Sequence, residues 1–327
     1  MKKFRTGFRL LFFLSLGILV GACGQTAAQN PGGEDGKLQV VASTTFIGDV
    51  VEEIGGEEVA LTVLLAPGQN PHAYQPPPRD VALVSEADLF FVNGFQLEGF
   101  LNDLLTGSDR PESVVEVSQG IEPLTVSGPD SEHGEEDPEH DEEGHDHQGE
   151  DGLGRDPHVW FDPNNVMVWT ENIASRLGEA DPGNAAVYRE RAEVYREELV
   201  ELDGWIRSRV EQIPPEDRKL VTDHTSFGYF ADEYGFELIG AVVPAPTTEA
   251  ETSGQQLAGL IDTIREAGVE VIFVSADTDP ALAERIAEDT GVEVVTLYFG
   301  SLTAGDPAGT YLEFMRYNVE TIVEALQ

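Results

Sequence analysis

Short runs rich in β-branched and aromatic residues alternate with amphipathic runs along most of this chain, and glycine, proline or an acidic residue separates one from the next. "KLQVVASTTF" (37–46) reads as a strand, and "IGDVVEEIGG" (47–56) as a helix stopped by Gly55 and Gly56. "VALTVLLAPG" is the next strand. Asp80 is placed to cap a helix over "VALVSEA", "DLFFVNG" is a third strand, and a short helix is expected over Gly99–Leu105. A second block repeats the pattern from residue 219: strands over "KLVTDH", "ELIGAVV", "VEVIFVSA" and "VEVVTLYF", separated by helices and closed by "GTYLEFMRYNVETIVEAL". Strands that alternate with helices demand crossover connections, which make parallel sheets with helices on their faces. The expected fold class is therefore α/β, with two parallel-sheet lobes.

Between the blocks lies the longest helical pattern. Tyr188, Ala192, Tyr195, Leu199, Leu202, Ile206 and Ile213 recur at mostly three- and four-residue spacing, with Asp181 and Pro182 suited to the start and Pro214-Pro215 to the stop. The stripe keeps phase across Gly204, which favours one helix over a hairpin broken there. One long backbone helix, residues 181–213, is expected to join an N-terminal lobe (38–180) to a C-terminal lobe (214–327).

The first 23 residues do not belong to that fold. Lys2, Lys3, Arg5 and Arg9 precede an apolar run, Leu10–Val20, too short for a comfortable transmembrane helix. Val20-Gly21-Ala22-Cys23 resembles a bacterial lipobox. Cys23 is the only cysteine, so no intrachain disulfide forms, and it is the expected site of lipidation. Residues 24–37 read as a polar tether. The chain is thus expected to be extracytoplasmic, anchored to a bacterial cell membrane through lipid. A net charge of −42 excludes nucleic acid as a partner, because phosphates would be repelled, but suits a cation.

Two kinds of histidine follow. Residues 130–151 hold twelve Asp/Glu, four His (His133, His140, His145, His147) and no Lys or Arg. Such a segment cannot bury enough apolar surface to order itself, and its composition suits weak metal binding. The other three histidines, His72, His158 and His224, each stand at a junction beside a strand or a proline-rich turn. Taken singly, each is explained as well by a turn, core or capping role. Ligand sites in open α/β sheets collect beyond the carboxyl ends of the strands, and three imidazoles converging there would hold a borderline cation such as zinc.

"PHAYQPPPRDVALVSEADLFFVNG", "RDPHVWFDP", "VTDHTSFGYFADEYGF" and "EAGVEVIFV" together resemble the zinc/manganese solute-binding proteins of ABC importers, the ZnuA/TroA type, from about Val40 to the C-terminus. The resemblance implies two α/β lobes bridged by a long helix, with metal between them. It implies that His72, His158 and His224 are ligands and that the acidic histidine run is a mobile loop. Asp156, Asp162 and Asp223 are candidates to orient the rings. Many members add a carboxylate in the final strand-to-helix region, where this chain has Gly300; Asp306 and Glu249 are the alternative fourth ligands.

The expected function is capture of Zn2+ (alternatively Mn2+) and delivery to an ABC permease, by a monomer with no enzymatic reaction. Rival readings are a manganese or iron carrier, an adhesin, and a secreted zinc hydrolase. The last lacks HExxH or a comparable motif to supply a general base.

Overall fold

In the computed structural model, residues 36–100, 113–127 and 153–327 are described. Four parallel strands, β1 (Leu38–Ala42), β2 (Val59–Val63), β3 (Leu89–Val92) and β4 (Val114–Glu116), form a first sheet in the order β2-β1-β3-β4. The register sets Val40 beside both Leu61 and Leu89. Helix α1 (Thr45–Gly55) follows β1; the Thr44 hydroxyl accepts from the Ile47 amide to start it, and Gly56 at φ +52° ends it. Helix α2 (Pro78–Glu86) precedes β3. Here the structure corrects the sequence: Asp80 does not cap α2. Pro77 holds the cap position and Pro78 opens the helix, while Asp80 is buried in the first turn, where it accepts from the Tyr74 hydroxyl. The short helix expected over Gly99–Leu105 lies almost wholly outside the described residues.

Strands β5 (Thr125–Ser127) and β6 (Leu153–Arg155) pair antiparallel, so the chain before and after the histidine run is brought together. The run itself lies outside the described residues, as does Cys23.

The connection between the sheets is two helices, α3 (Pro163–Ala180) and α4 (Ala185–Val210). Asp162 caps α3 by accepting from the Asn164 amide, and Pro163 takes the first helical position. The expected start at Asp181 is therefore corrected: Asp181 stands just past the end of α3, Asn184 precedes α4, and the helix runs for 26 residues, about 39 Å. Gly204 does not break it. Leu199, Leu202 and Ile206 are fully buried, each contributing about 1.5–3 kcal/mol, which outweighs the roughly 1 kcal/mol cost of an interior glycine.

The second sheet has the order β10-β9-β7-β8, again all parallel: β7 (Lys219–His224), β8 (Glu237–Val243), β9 (Val271–Ser275) and β10 (Glu293–Leu297). Helices α5 (Gly228–Tyr234), α6 (Gly254–Ala267), α7 (Ala281–Thr290) and α8 (Tyr311–Ala325) connect and close it. The first three of these end on glycines with positive φ (Gly235, Gly268, Gly291), each in the left-handed conformation that releases the last turn.

One hydrophobic core runs through both lobes, from Val40 and Phe91 in the first sheet through Trp160, Trp169 and Leu202 to Phe273 and Leu297 in the second. The described residues accordingly form one compact unit. Trp160 shows how the lobes are tied. Its ring stacks on Phe46 of α1 at 5.1 Å, and its indole N–H donates to the Phe299 carbonyl at 3.1 Å.

Asp49 ties α1 to α8 by accepting from the Tyr311 amide at 2.9 Å. Burial pushes its carboxyl up to about 7, against that hydrogen bond and with repulsion from Glu53 and Glu52. A carboxyl raised in the folded state contributes stability that is present below the unfolded value, about 4, and is lost as pH rises through 7. Asp49→Asn should therefore raise Tm more at pH 8 than at pH 5, the difference being on the order of 1 kcal/mol or about 2–4 °C. Equal shifts at both pH values in a thermal melt would contradict this.

Candidate metal centre

The carboxyl ends of both sheets face one another, and the three junction histidines meet there. His72 comes from the loop between β2 and α2. Its amide donates to Asn70 Oδ1 at 2.9 Å, and Asn70 Nδ2 reaches Thr248 Oγ1 across the cleft at 2.7 Å. His158 lies just ahead of a 3-10 turn, Val159–Phe161. Its loop is docked on the first lobe by Asn93, whose Nδ2 donates to the Pro157 carbonyl at 3.0 Å, and on the second by Tyr229, whose hydroxyl donates to the Asp156 carbonyl at 2.9 Å. His224 is the last residue of β7.

The Nε2 atoms of His72 and His224 lie 3.1 and 3.2 Å from Nε2 of His158. Among the described residues these three form the cluster whose potential ligand atoms all fall within 4.8 Å of one another. A tetrahedral ion with bonds of about 2.0–2.1 Å places its ligand atoms about 3.3–3.4 Å apart, so the spacing of the pairs fits. His158 and His224 are buried and His72 is partly buried.

Two rings are held from behind by carboxylates. His158 Nδ1 is 2.7 Å from Asp156 Oδ1, and His224 Nδ1 is 2.7 Å from Asp223 Oδ1. An N–H on each Nδ1 donates to its carboxylate, which leaves the Nε2 lone pairs pointing into the cluster. Asp162, the third candidate for this role, caps α3 instead. Burial holds His158 and His72 well below the ordinary imidazole value, and the neighbouring imidazoles press in the same direction. Both rings are neutral at physiological pH, the form that binds metal. Burial would raise Asp223, but hydrogen bonds from His224, the Ser275 amide and the Thr278 hydroxyl hold it below its usual value. Burial lifts Asp156 to about 7 despite the His158 amide. The other oxygen of Asp156 is buried without a hydrogen-bond partner and abuts Gly228, where a Cβ would come within 2.5 Å of it. Gly228→Ala should therefore displace Asp156 and weaken zinc binding roughly tenfold by titration calorimetry; unchanged affinity would show that Asp156 does not set the ring.

Aromatic rings back the cluster. Trp160 packs edge-on against His158, and Phe299 lies 5.7 Å from His224.

A family model described as the periplasmic zinc-uptake complex component A matches residues 40–325. The chain belongs to the zinc-uptake component A family. Members similar to it include the manganese-binding lipoprotein MntA of Halalkalibacterium halodurans, 32% identical over 330 residues and covering 100% of this chain and 99% of that one. The manganese ABC transporter substrate-binding lipoprotein PsaA of Streptococcus pneumoniae is 30% identical over 334 residues, with the same coverage. The periplasmic zinc-binding protein TroA of Treponema pallidum superposes with a TM-score of 0.76 at 28% identity, covering 89% of this chain and 99% of that one. The Mn-bound periplasmic metal-binding protein of Candidatus Liberibacter asiaticus does so with 0.75 at 28%, covering 89% and 100%. This member of the family is thus the metal-binding, substrate-binding component of an ABC transporter, in a family of binding proteins rather than enzymes.

Glu249 and Asp306 are both exposed, and neither joins the histidine cluster. Asp277, in the turn after β9, did not stand out in the sequence; its Oδ2 is buried and without a hydrogen-bond partner. Its one visible signal was its place, two residues beyond a strand's carboxyl end. The four loop histidines lie outside the described residues.

Proposed function

We propose that this chain captures Zn2+ on His72, His158 and His224 and delivers it to an ABC permease, held at the outer face of a bacterial cell membrane by lipid on Cys23. The observation that carries this reading is the convergence of three Nε2 atoms, two of them oriented by buried carboxylates. An all-nitrogen cluster suits zinc, whereas manganese favours oxygen-rich shells. His133, His140, His145 and His147 serve as weak auxiliary sites that gather cations. Residues 38–180 and 214–327 act as two lobes around a fixed linking helix. The shared core disfavours wide closure, so release proceeds by small loop or lobe movements.

Manganese is the second reading, favoured by the names of MntA and PsaA and by the Mn-bound structure. Titration of the purified protein with each metal separates them. Zinc should bind one tight site at least a hundredfold more strongly than manganese, and deletion of 130–151 should remove only weaker sites. Tighter manganese binding, or loss of the tight site on deletion, would overturn this assignment. An unmodified mature N-terminus by mass spectrometry would refute the lipid on Cys23.

A further inference from the structure

Three imidazoles leave a tetrahedral ion one position short, and Gly300 has no side chain to fill it. Gly300 nevertheless borders the site. It follows Phe299, which packs on His224, and a Cβ built on it would come within 2.8 Å of Cδ of Pro71, the residue before His72. The same Cβ would lie 2.8 Å from Asp277 Oδ2. A carboxylate oxygen from β9's end thus stands where a side chain at 300 would begin.

We propose that Asp277 is the anionic group facing the open coordination position, where its Oδ2 accepts a hydrogen bond from a metal-bound water. The inference rests on the metal-binding reading above. Three observations support it. First, Asp277 Oδ1 accepts from the Ser275 hydroxyl, but Oδ2 is buried with no partner, a costly state for a carboxylate unless a donor arrives with the ligand. Second, Asp277 sits between the two residues that brace Asp223. The Ser275 amide and the Thr278 hydroxyl both donate to Asp223 Oδ2 at 2.8 Å, so a single turn positions the His224 support and the free carboxylate together. Third, the position a Cβ on Gly300 would take lies 2.8 Å from both Asp277 Oδ2 and Pro71 Cδ, which sets this carboxylate beside the residue that precedes His72. Burial and the nearby Asp223 raise its carboxyl, so a cation in the cluster would relieve an unfavourable charge. A water held by zinc on one side and a carboxylate on the other gives the ion four ligands while leaving one that exchanges readily, which suits a protein that must release its cargo.

The test compares wild type, Asp277→Asn, Ser275→Ala and His158→Ala as full chains, using zinc titration and the visible spectrum of the Co2+-loaded protein. Asp277→Asn should lower zinc affinity about ten- to a hundredfold and shift the Co2+ bands, with the metal-free Tm little changed. Ser275→Ala, which touches only the other oxygen, should alter affinity several-fold less. Wild-type affinity and an unshifted Co2+ spectrum in Asp277→Asn would overturn the proposal, whatever the change in Tm. If His158→Ala bound zinc like wild type, the histidine site itself would fail and this proposal with it. A deficient His158→Ala beside an unaffected Asp277→Asn would overturn the Asp277 role alone.

Discussion

Replacing His158 with alanine should lower zinc affinity roughly a hundred- to a thousandfold. Structural zinc sites bind with about 10–16 kcal/mol shared among four ligands, so each ligand accounts for about 2.5–4 kcal/mol. His158 should stand at the upper end. It is the ring common to both short Nε2 contacts, it is almost fully buried, and its Nδ1 is fixed by Asp156. His72→Ala should cost less. It is the most exposed of the three, and among the described residues no carboxylate hydrogen-bonds to its ring. Titration calorimetry of the three alanine variants gives the ranking directly. A loss for His72→Ala larger than that for His158→Ala would mean that orientation from behind is not what makes these rings good ligands.

Trp160→Ala should destabilise the whole protein by about 3–5 kcal/mol, the cost of removing a large aromatic from a packed core. The side chain is 1% exposed and joins α1 to the loop after β10. Its backbone carbonyl also accepts from the Tyr311 hydroxyl at 2.8 Å. Because one core joins both lobes, denaturant should unfold the variant in a single transition with a lowered midpoint. Two separated transitions would show that the lobes are independent, and the small-movement account of release would fail with them. Zinc affinity should fall as well, since the indole packs against the His158 ring.

Much of the fold was legible because its punctuation is local. The glycines after α1, α5, α6 and α7 carry positive φ, and the apolar runs of β1, β3, β7 and β9 match strands buried in parallel sheets. The errors came where two signals compete for one segment. Asp181-Pro182 looks like a helix start, yet Asp162-Pro163 provides the same signature and begins α3, so the second pair falls in the turn between two helices. Asp80 has a capping residue's chemistry, but the prolines before it set the start of α2 earlier. At the metal centre the three histidines were legible as isolated imidazoles at strand ends. Asp156 and Asp223 were legible as near neighbours, although only packing separates them from Asp162. Asp277 was not legible, because its place depends on β9 and β10 lying side by side and on the gap left at Gly300.

The most direct measurement is anomalous diffraction at the zinc edge from crystals of the zinc-loaded full chain. One dominant peak should lie among the Nε2 atoms of His72, His158 and His224, at about 2.0–2.1 Å from each, with a water oxygen completing the tetrahedron. A dominant peak among His133, His140, His145 and His147, or no peak between the three junction histidines, would contradict the account.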